Sequence, residues 1–258
     1  MTFKKIIKDT LNFFNLDIKF INKELKDLTF DQIYKKKIKS NPIIFDIGAN
    51  QGQSIERFKK IFPHASIHAF EPIRNEYENL VKKYSLDKSI TINNFAFGEE
   101  KYLKEINLAK RSGISSFNEF NKKHKWLKIR SEQYNTNIEN FLEGKEEVQV
   151  DTLDNYCFRN NIEHIDILKI DTQGYEDLVL AGAKETLKKD IISAIELEII
   201  FDNTYSKFLT FSDIEKYLVQ NFRFSGIKNY NHNLFEGINF FAEVLYIKKN
   251  IISKIHNN

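Results

Sequence analysis

Ile43-Ile44-Phe45-Asp46-Ile47-Gly48-Ala49-Asn50-Gln51-Gly52 is the segment that most narrows what this chain can fold into. A run of five residues, apolar but for Asp46 and preceded by Pro42, gives way to a turn with two glycines. A helix-forming stretch over 53–62 follows, and Pro63 ends it. Such a run, bounded in this way, reads as a buried parallel strand. The glycines let the backbone turn sharply and approach a bound molecule closely. In open α/β sheets, ligands lie at the carboxyl ends of the strands.

The same alternation recurs downstream. Ser66–Phe70 reads as a second strand, closed by Glu71-Pro72. Tyr77, Leu80, Val81 and Tyr84 mark one face of a helix. Residues 91–95 read as a third strand. After an interruption, Ile165–Ile170 predicts a strand followed by a helix through about Lys188, and residues 191–197 predict another strand. Ser212-Asp213-Ile214-Glu215 predicts a capping box at a helix start, and residues 239–247 the last strand. Strands alternating with helices predict an α/β fold with a mostly parallel sheet covered on both faces.

The main domain is expected over 41–250, after an N-terminal helical extension over 1–40. In that extension Phe3, Ile6, Ile7, Leu11 and Phe14 recur at helical spacing. Residues 107–147 break the rhythm. A connection this long predicts a lid or substrate-binding insertion, with a small structural insertion as the alternative.

Charge identifies the ligand of the glycine loop. A dinucleotide site presents Gly-x-Gly-x-x-Gly and a helix N-terminus to a pyrophosphate. Here the spacing is Gly48-x-x-x-Gly52, and the Asp46 carboxylate at the entrance would repel phosphate. S-adenosylmethionine carries no phosphate but has a cationic α-ammonium and a cationic sulfonium, which acidic and carbonyl groups suit. Glu71, about 20 residues past the loop, stands where a carboxylate can accept hydrogen bonds from both ribose hydroxyls. The expected cofactor contacts are therefore Asp46, Gly48, Ala49, Asn50, Gln51, Gly52, Glu71 and Pro72, with Asn94 and Phe95 bordering the adenine.

Four segments in order carry a resemblance to a known family. They are residues 44–52, Phe70-Glu71-Pro72, Val150-Asp151-Thr152-Leu153-Asp154, and Leu168-Lys169-Ile170-Asp171-Thr172-Gln173-Gly174-Tyr175-Glu176. Together they resemble the FkbM family of methyltransferases over roughly residues 43–200. The resemblance implies a seven-stranded Rossmann-like class I methyltransferase fold, S-adenosylmethionine as donor, and O-methylation, often of sugars or other hydroxylated metabolites. Many members carry Glu-Gly where this chain has Gln173-Gly174.

Methyl transfer is an in-line displacement, so the protein must align the acceptor and help remove its proton. Alignment contributes ~7–11 kcal/mol, and a positioned base ~10²–10⁴-fold. Asp171, just after the fourth strand of the main alternation, is the expected reaction-centre carboxylate and a cofactor contact. Glu198 is the second catalytic candidate. Glu196 and Glu198 flank Leu197 and so share one face of a strand. Gln173, Glu176, Glu196 and His232 are the expected substrate contacts.

Composition excludes several other classes. Lys and Arg total 39 against 36 Asp and Glu, a balance too even to indicate nucleic acid. The lysine-rich 122–130 segment reads as a solvated face, with contact to a phosphate or uronic acid as the alternative. The single cysteine, Cys157, can form neither an intramolecular disulfide nor a shared thiolate metal site. No two of the six histidines have metal-ligand spacing, and no spacing requires a divalent ion on Asp171 and Glu198, so no metal is expected. No apolar run approaches the ~20 residues of a membrane span, and a cytoplasmic location is the default expectation. Homo-oligomerisation is left open. The expected partner is a small-molecule or glycan-precursor acceptor. The competing readings are a nicotinamide-dependent oxidoreductase and a non-catalytic methyltransferase-like binding domain.

Overall fold

The computed structural model describes residues 28–231 and 239–253. The helical pattern expected over Phe3 to Phe14, and His232, lie outside those residues. The chain divides into two compact units, Met1–Tyr34 and Lys35–Asn258. The first described helix is α1 (Phe30–Lys37).

Along the second unit the strands are β1 (Ile43–Ile47), β2 (Ser66–Phe70), β3 (Ile90–Asn93), β4 (Ala96–Phe97), β5 (Tyr102–Ala109), β6 (Leu142–Asp151), β7 (Ile165–Ile170), β8 (Ile192–Ile200), β9 (Phe222–Asn231) and β10 (Asn239–Lys248). Among the described residues, a seven-stranded sheet has the order β3-β2-β1-β7-β8-β10-β9, and β4-β6-β5 form a small second sheet. β1 pairs in parallel with both β2 and β7, and β7 in parallel with β8. β10 runs antiparallel to β8 and β9. The order reverses between β1 and β7, and this switch point opens a crevice at the carboxyl edge.

The sequence explains the central strands directly. Every residue of β7 is buried, as are Ile44 to Ile47 of β1, because helices cover a parallel sheet on both faces. Those helices include α2 (Gln53–Ile61) and α3 (Arg74–Tyr84). One core cluster joins Phe45 and Ile47 of β1 and Leu168 and Ile170 of β7 to Leu197 and Ile199 of β8, with Ile214 and Leu218 packed on them.

Several local expectations shift. Residues 107–147 are no plain loop: they begin in β5, carry helices α4 (Lys125–Gln133) and α5 (Ile138–Phe141), and return in β6, which pairs antiparallel with β5. The third strand stops at Asn93, and Asn94 instead turns its side-chain amide onto the Glu71 and Pro72 carbonyls at 3.0 and 2.9 Å. After α6 (Leu153–Arg159) and β7, the expected single helix is two, α7 (Glu176–Ala181) and α8 (Lys184–Lys188), divided at Gly182. A Cβ there would sit 1.9 Å from the Gly98 carbonyl oxygen, so only glycine admits that crossing of backbones. The capping box lies two residues earlier than read. Thr210 is the cap of α9 (Phe211–Leu218), and its N–H donates to the Asp213 carboxylate at 2.9 Å.

Candidate functional site

The site starts at the β1–α2 turn. Gly48 has φ +83°, and a Cβ on it would lie 1.9 Å from the backbone oxygen of Asp171. The loops leaving β1 and β7 thus touch backbone to backbone, and the Asp171 N–H donates to the Ile47 oxygen at 2.9 Å. Asn50 is also left-handed, φ +44°. That conformation aims its backbone N–H at Glu71 Oε2, 2.9 Å away, while its Nδ2 donates to Ser112 Oγ at 2.9 Å.

Glu71 stands at the tip of β2, and its other oxygen accepts from the Ile73 N–H at 2.9 Å. Burial pushes the Glu71 carboxyl up to about 7, against the opposing pull of those two amides. Asp46 is fully buried, and neither carboxylate oxygen has a hydrogen-bond partner among the described residues. Burial pushes it up to about 6, with Lys169, its Nζ 3.8 Å away, opposing.

A second cluster sits where β7 and β8 end. Gln173 takes φ +55°, and its single side-chain amide nitrogen donates both hydrogens to carboxylates: Asp171 Oδ1 at 2.9 Å and Glu198 Oε1 at 2.8 Å. The Tyr205 hydroxyl lies 3.0 Å from Gln173 Oε1 and 2.7 Å from the Ile114 oxygen. Lys169 Nζ contacts Asp171 Oδ2 at 3.2 Å. Burial pulls the Lys169 ammonium down, yet Asp171, Asp46 and Glu196 together hold it above its ordinary value. Glu198 is raised well above the usual carboxylate range, first by burial and then by Asp171 and Glu176.

A cavity of about 700 Å³ joins the two clusters. Of the residues expected from the sequence, Gly48, Ala49, Asn50, Gln51, Glu71, Pro72, Phe95, Asp171, Gln173 and Glu198 line it. Asp46, Gly52, Asn94, Glu176 and Glu196 stand outside its wall. Glu176 binds the backbone N–H groups of Thr172 and Gly174, at 2.8 and 3.0 Å, and so shapes the loop that carries Gln173. Glu196 is held by both terminal nitrogens of Arg57, at 2.5 and 3.0 Å. Strand alternation does put Glu196 and Glu198 on one face, but the Arg57 clamp reaches across from α2, and no local pattern shows it.

Lys169, Thr204 and Tyr205 line the cavity without having been singled out from the sequence. The available signal for Lys169 was a lysine deep in a strand otherwise destined for burial. The basic residues on the wall are Arg57, Lys110, Arg111, Arg130 and Lys169, not the exposed lysines 122, 123, 125 and 128. His124 pairs with Asp202 at 2.9 Å. Among the described residues no group of three His, Cys, Asp or Glu side chains has a metal-holding arrangement, and no helix is long and apolar enough to cross a membrane.

Comparison with known proteins agrees with this geometry. The family model described as Methyltransferase FkbM domain matches residues 46–227, more than half of the chain. The 2-O-methyltransferase NoeI of Sinorhizobium fredii is 28% identical over 166 residues, which are 61% of this chain and 64% of that protein. The crystal structure of Methyltransferase FkbM from Methylobacillus flagellatus KT superposes with a TM-score of 0.50 at 13% identity, covering 88% of this chain and 46% of that one. This chain thus spans less than two thirds of the length of either relative. The strand order and these neighbours make the fold that of class I methyltransferases. Neither the oxidoreductase nor the non-catalytic reading is favoured. A glycine turn, a carboxylate at the tip of β2 and an acid cluster after β7 occur in order within one matched domain, and the chain belongs to the FkbM family of methyltransferases.

Proposed function

We propose that this protein transfers a methyl group from S-adenosylmethionine to a hydroxyl of a sugar or glycan precursor, free or nucleotide-linked. The observation that carries the reading is the Gln173 amide bridging Asp171 and Glu198 on the wall of the cavity that Glu71 also lines. The name of the Sinorhizobium relative, a 2-O-methyltransferase, supports an oxygen acceptor.

The residues present fit the donor. Asp46, a buried carboxylate at the loop's entrance, has no hydrogen-bond partner among the described residues and meets Lys169 Nζ at 3.8 Å, and a buried carboxylate there suits a cationic donor. Glu71 has each oxygen engaged once by a backbone amide, which leaves further lone pairs for ribose hydroxyls. Gly48, bare of a side chain, lets the Asp171 backbone close on the loop and so brings the two halves of the site together. When bound, S-adenosylmethionine supplies a methyl group already activated by its sulfonium.

This chain's own work is at the acceptor. Glu198 accepts the hydroxyl proton on a carboxylate oxygen, and its raised proton affinity makes it a stronger base once ionised. Its ionisation is favoured by any cation bound nearby. Gln173 fixes the spacing of Glu198 and Asp171, Tyr205 anchors Gln173, and Lys169 balances the charge behind them.

The test is transfer from methyl-labelled S-adenosylmethionine to a panel of free and nucleotide-linked sugars. Label should appear as an alkali-stable methyl ether, and Glu198→Gln should lower kcat ~10²-fold or more while S-adenosylhomocysteine affinity stays within about twofold. Label found on nitrogen, or an undiminished kcat in that variant, would contradict the assignment.

A further inference from the structure

Three cationic side chains from the 107–147 insertion, Lys110, Arg111 and Arg130, line the same cavity. They do nothing for methyl transfer as described above. Lys110 and Arg111 are exposed, and neither side chain forms a hydrogen bond or ion pair among the described residues. Arg130 is half-buried and donates only to a neutral partner, Gln133 Oε1, at 2.8 Å. Its guanidinium lies over the Trp126 ring, 5.2 Å from the centroid. Burial and then the neighbouring Arg111 charge make its cationic form less favourable than usual.

Two buried polar atoms on this wall also lack partners among the described residues: Arg130 Nε and Thr204 Oγ1. Thr204 is 2% exposed, and an unpaired buried hydroxyl costs about 1–3 kcal/mol unless something binds it. Like-charged groups held close with idle donors make a site for an anion, and guanidinium forks suit planar or tetrahedral oxyanions.

The connection to the acid cluster is short. Ser112 follows Arg111 and accepts from Asn50 of the cofactor loop at 2.9 Å. Ile114 accepts from Tyr205 at 2.7 Å, and Tyr205 in turn meets Gln173. The turn that carries Arg111 is therefore tied to both halves of the cavity. Trp126 and Phe240, stacked with centroids 5.5 Å apart, add an aromatic wall.

We propose that the acceptor carries an oxyanion, a phosphate or a carboxylate, gripped at the cavity mouth by Lys110, Arg111 and Arg130 while its hydroxyl reaches Glu198. This rests on the methyl-transfer reading of the same site and narrows it to charged sugars. Neutral glycosides lack the group that these three cations and Thr204 are placed to hold.

Calorimetric titrations test it with three probes: uridine diphosphate for the phosphate source, glucuronate for the carboxylate source, and glucose as the neutral control. Each is run on the full chain, with and without saturating S-adenosylhomocysteine. At least one anion should bind more tightly than glucose. Its affinity should fall at least tenfold in the double variant Arg111→Gln/Arg130→Gln, and should weaken with added salt. Which anion binds identifies the source. S-adenosylhomocysteine affinity in the double variant, expected within twofold of the parent, reports that the variant is folded. No binding of either anion, binding no tighter than glucose, or binding unchanged in the folded double variant overturns the proposal. Failure of S-adenosylhomocysteine itself to bind counts against the donor assignment instead, and the titrations without it still decide the anion site.

Discussion

Glu71→Gln separates a carboxylate kept for a ligand from one kept for the fold. In the ligand-free protein, burial raises the Glu71 carboxyl from its ordinary 4.5 to about 7. A raised acid favours the folded state while protonated, below pH 4.5, and that advantage is lost as pH rises through 7. At ~1.4 kcal/mol per pH unit, the ionised side chain costs the fold roughly 3 kcal/mol above pH 7. Glutamine cannot ionise, so this pH dependence disappears in the variant. It does introduce an NH₂ group facing one of the two backbone N–H donors, Asn50 or Ile73, at about 1–3 kcal/mol independent of pH. Urea denaturation at pH 5 and pH 8 should therefore show the variant less stable than the parent at pH 5, and equal or more stable at pH 8. S-adenosylhomocysteine affinity at pH 8 should nonetheless fall at least tenfold. Stability differences that stay parallel, within ~0.5 kcal/mol between the two pH values, would refute the reasoning.

Other consequences follow from the same geometry. Gly48→Ala puts a Cβ 1.9 Å from the Asp171 oxygen in a left-handed backbone; denaturation should show a loss of about 2–5 kcal/mol, and donor affinity should fall with it. Lys169→Met removes the cation between Asp46 and Asp171. Its stability should drop by about 3–5 kcal/mol at pH 8, and by less at pH 5.5, because Asp46, raised to about 6, can then take a proton. Gln173→Glu sets a third carboxylate against Asp171 and Glu198; like charges raise one another's proton affinity, so the acidic limb of the kcat profile, where Glu198 must lose its proton, should move to higher pH.

The parts of the molecule legible in the sequence are those whose cause is local. β1, β2 and β7 announce themselves as short, largely apolar runs closed by turn residues, and the glycine turn announces its own backbone. β9 carries no clear signal in the sequence, because Phe222-Arg223-Phe224-Ser225-Gly226-Ile227-Lys228 lies beside β10 at the sheet edge, where one-sided burial leaves a weak pattern. β5 and β6 are hidden because antiparallel partners from Tyr102↔Val150 to Ala109↔Leu142 reveal themselves only once paired.

The site divides in the same way. Asp171, Gln173 and Glu198 could be named from position along their strands, but not the single amide that joins them. Glu196 shows the limit of alternation: it has the right face, yet Arg57 from a distant helix claims it. The lysine-rich stretch over 122–130 reads as a solvated face, and lysines 122, 123, 125 and 128 are exposed; Arg130, within the same stretch, instead lines the cavity, which charge patterning alone does not show.

On this reading the cavity beside Gly48 and Glu71 holds S-adenosylmethionine. Calorimetric titration of the purified protein with S-adenosylhomocysteine, beside NAD, tests it most directly. S-adenosylhomocysteine should bind at micromolar concentration, with binding lost in Glu71→Ala, and NAD should not bind. Binding of NAD in its place, or binding of S-adenosylhomocysteine indifferent to Glu71, would contradict it.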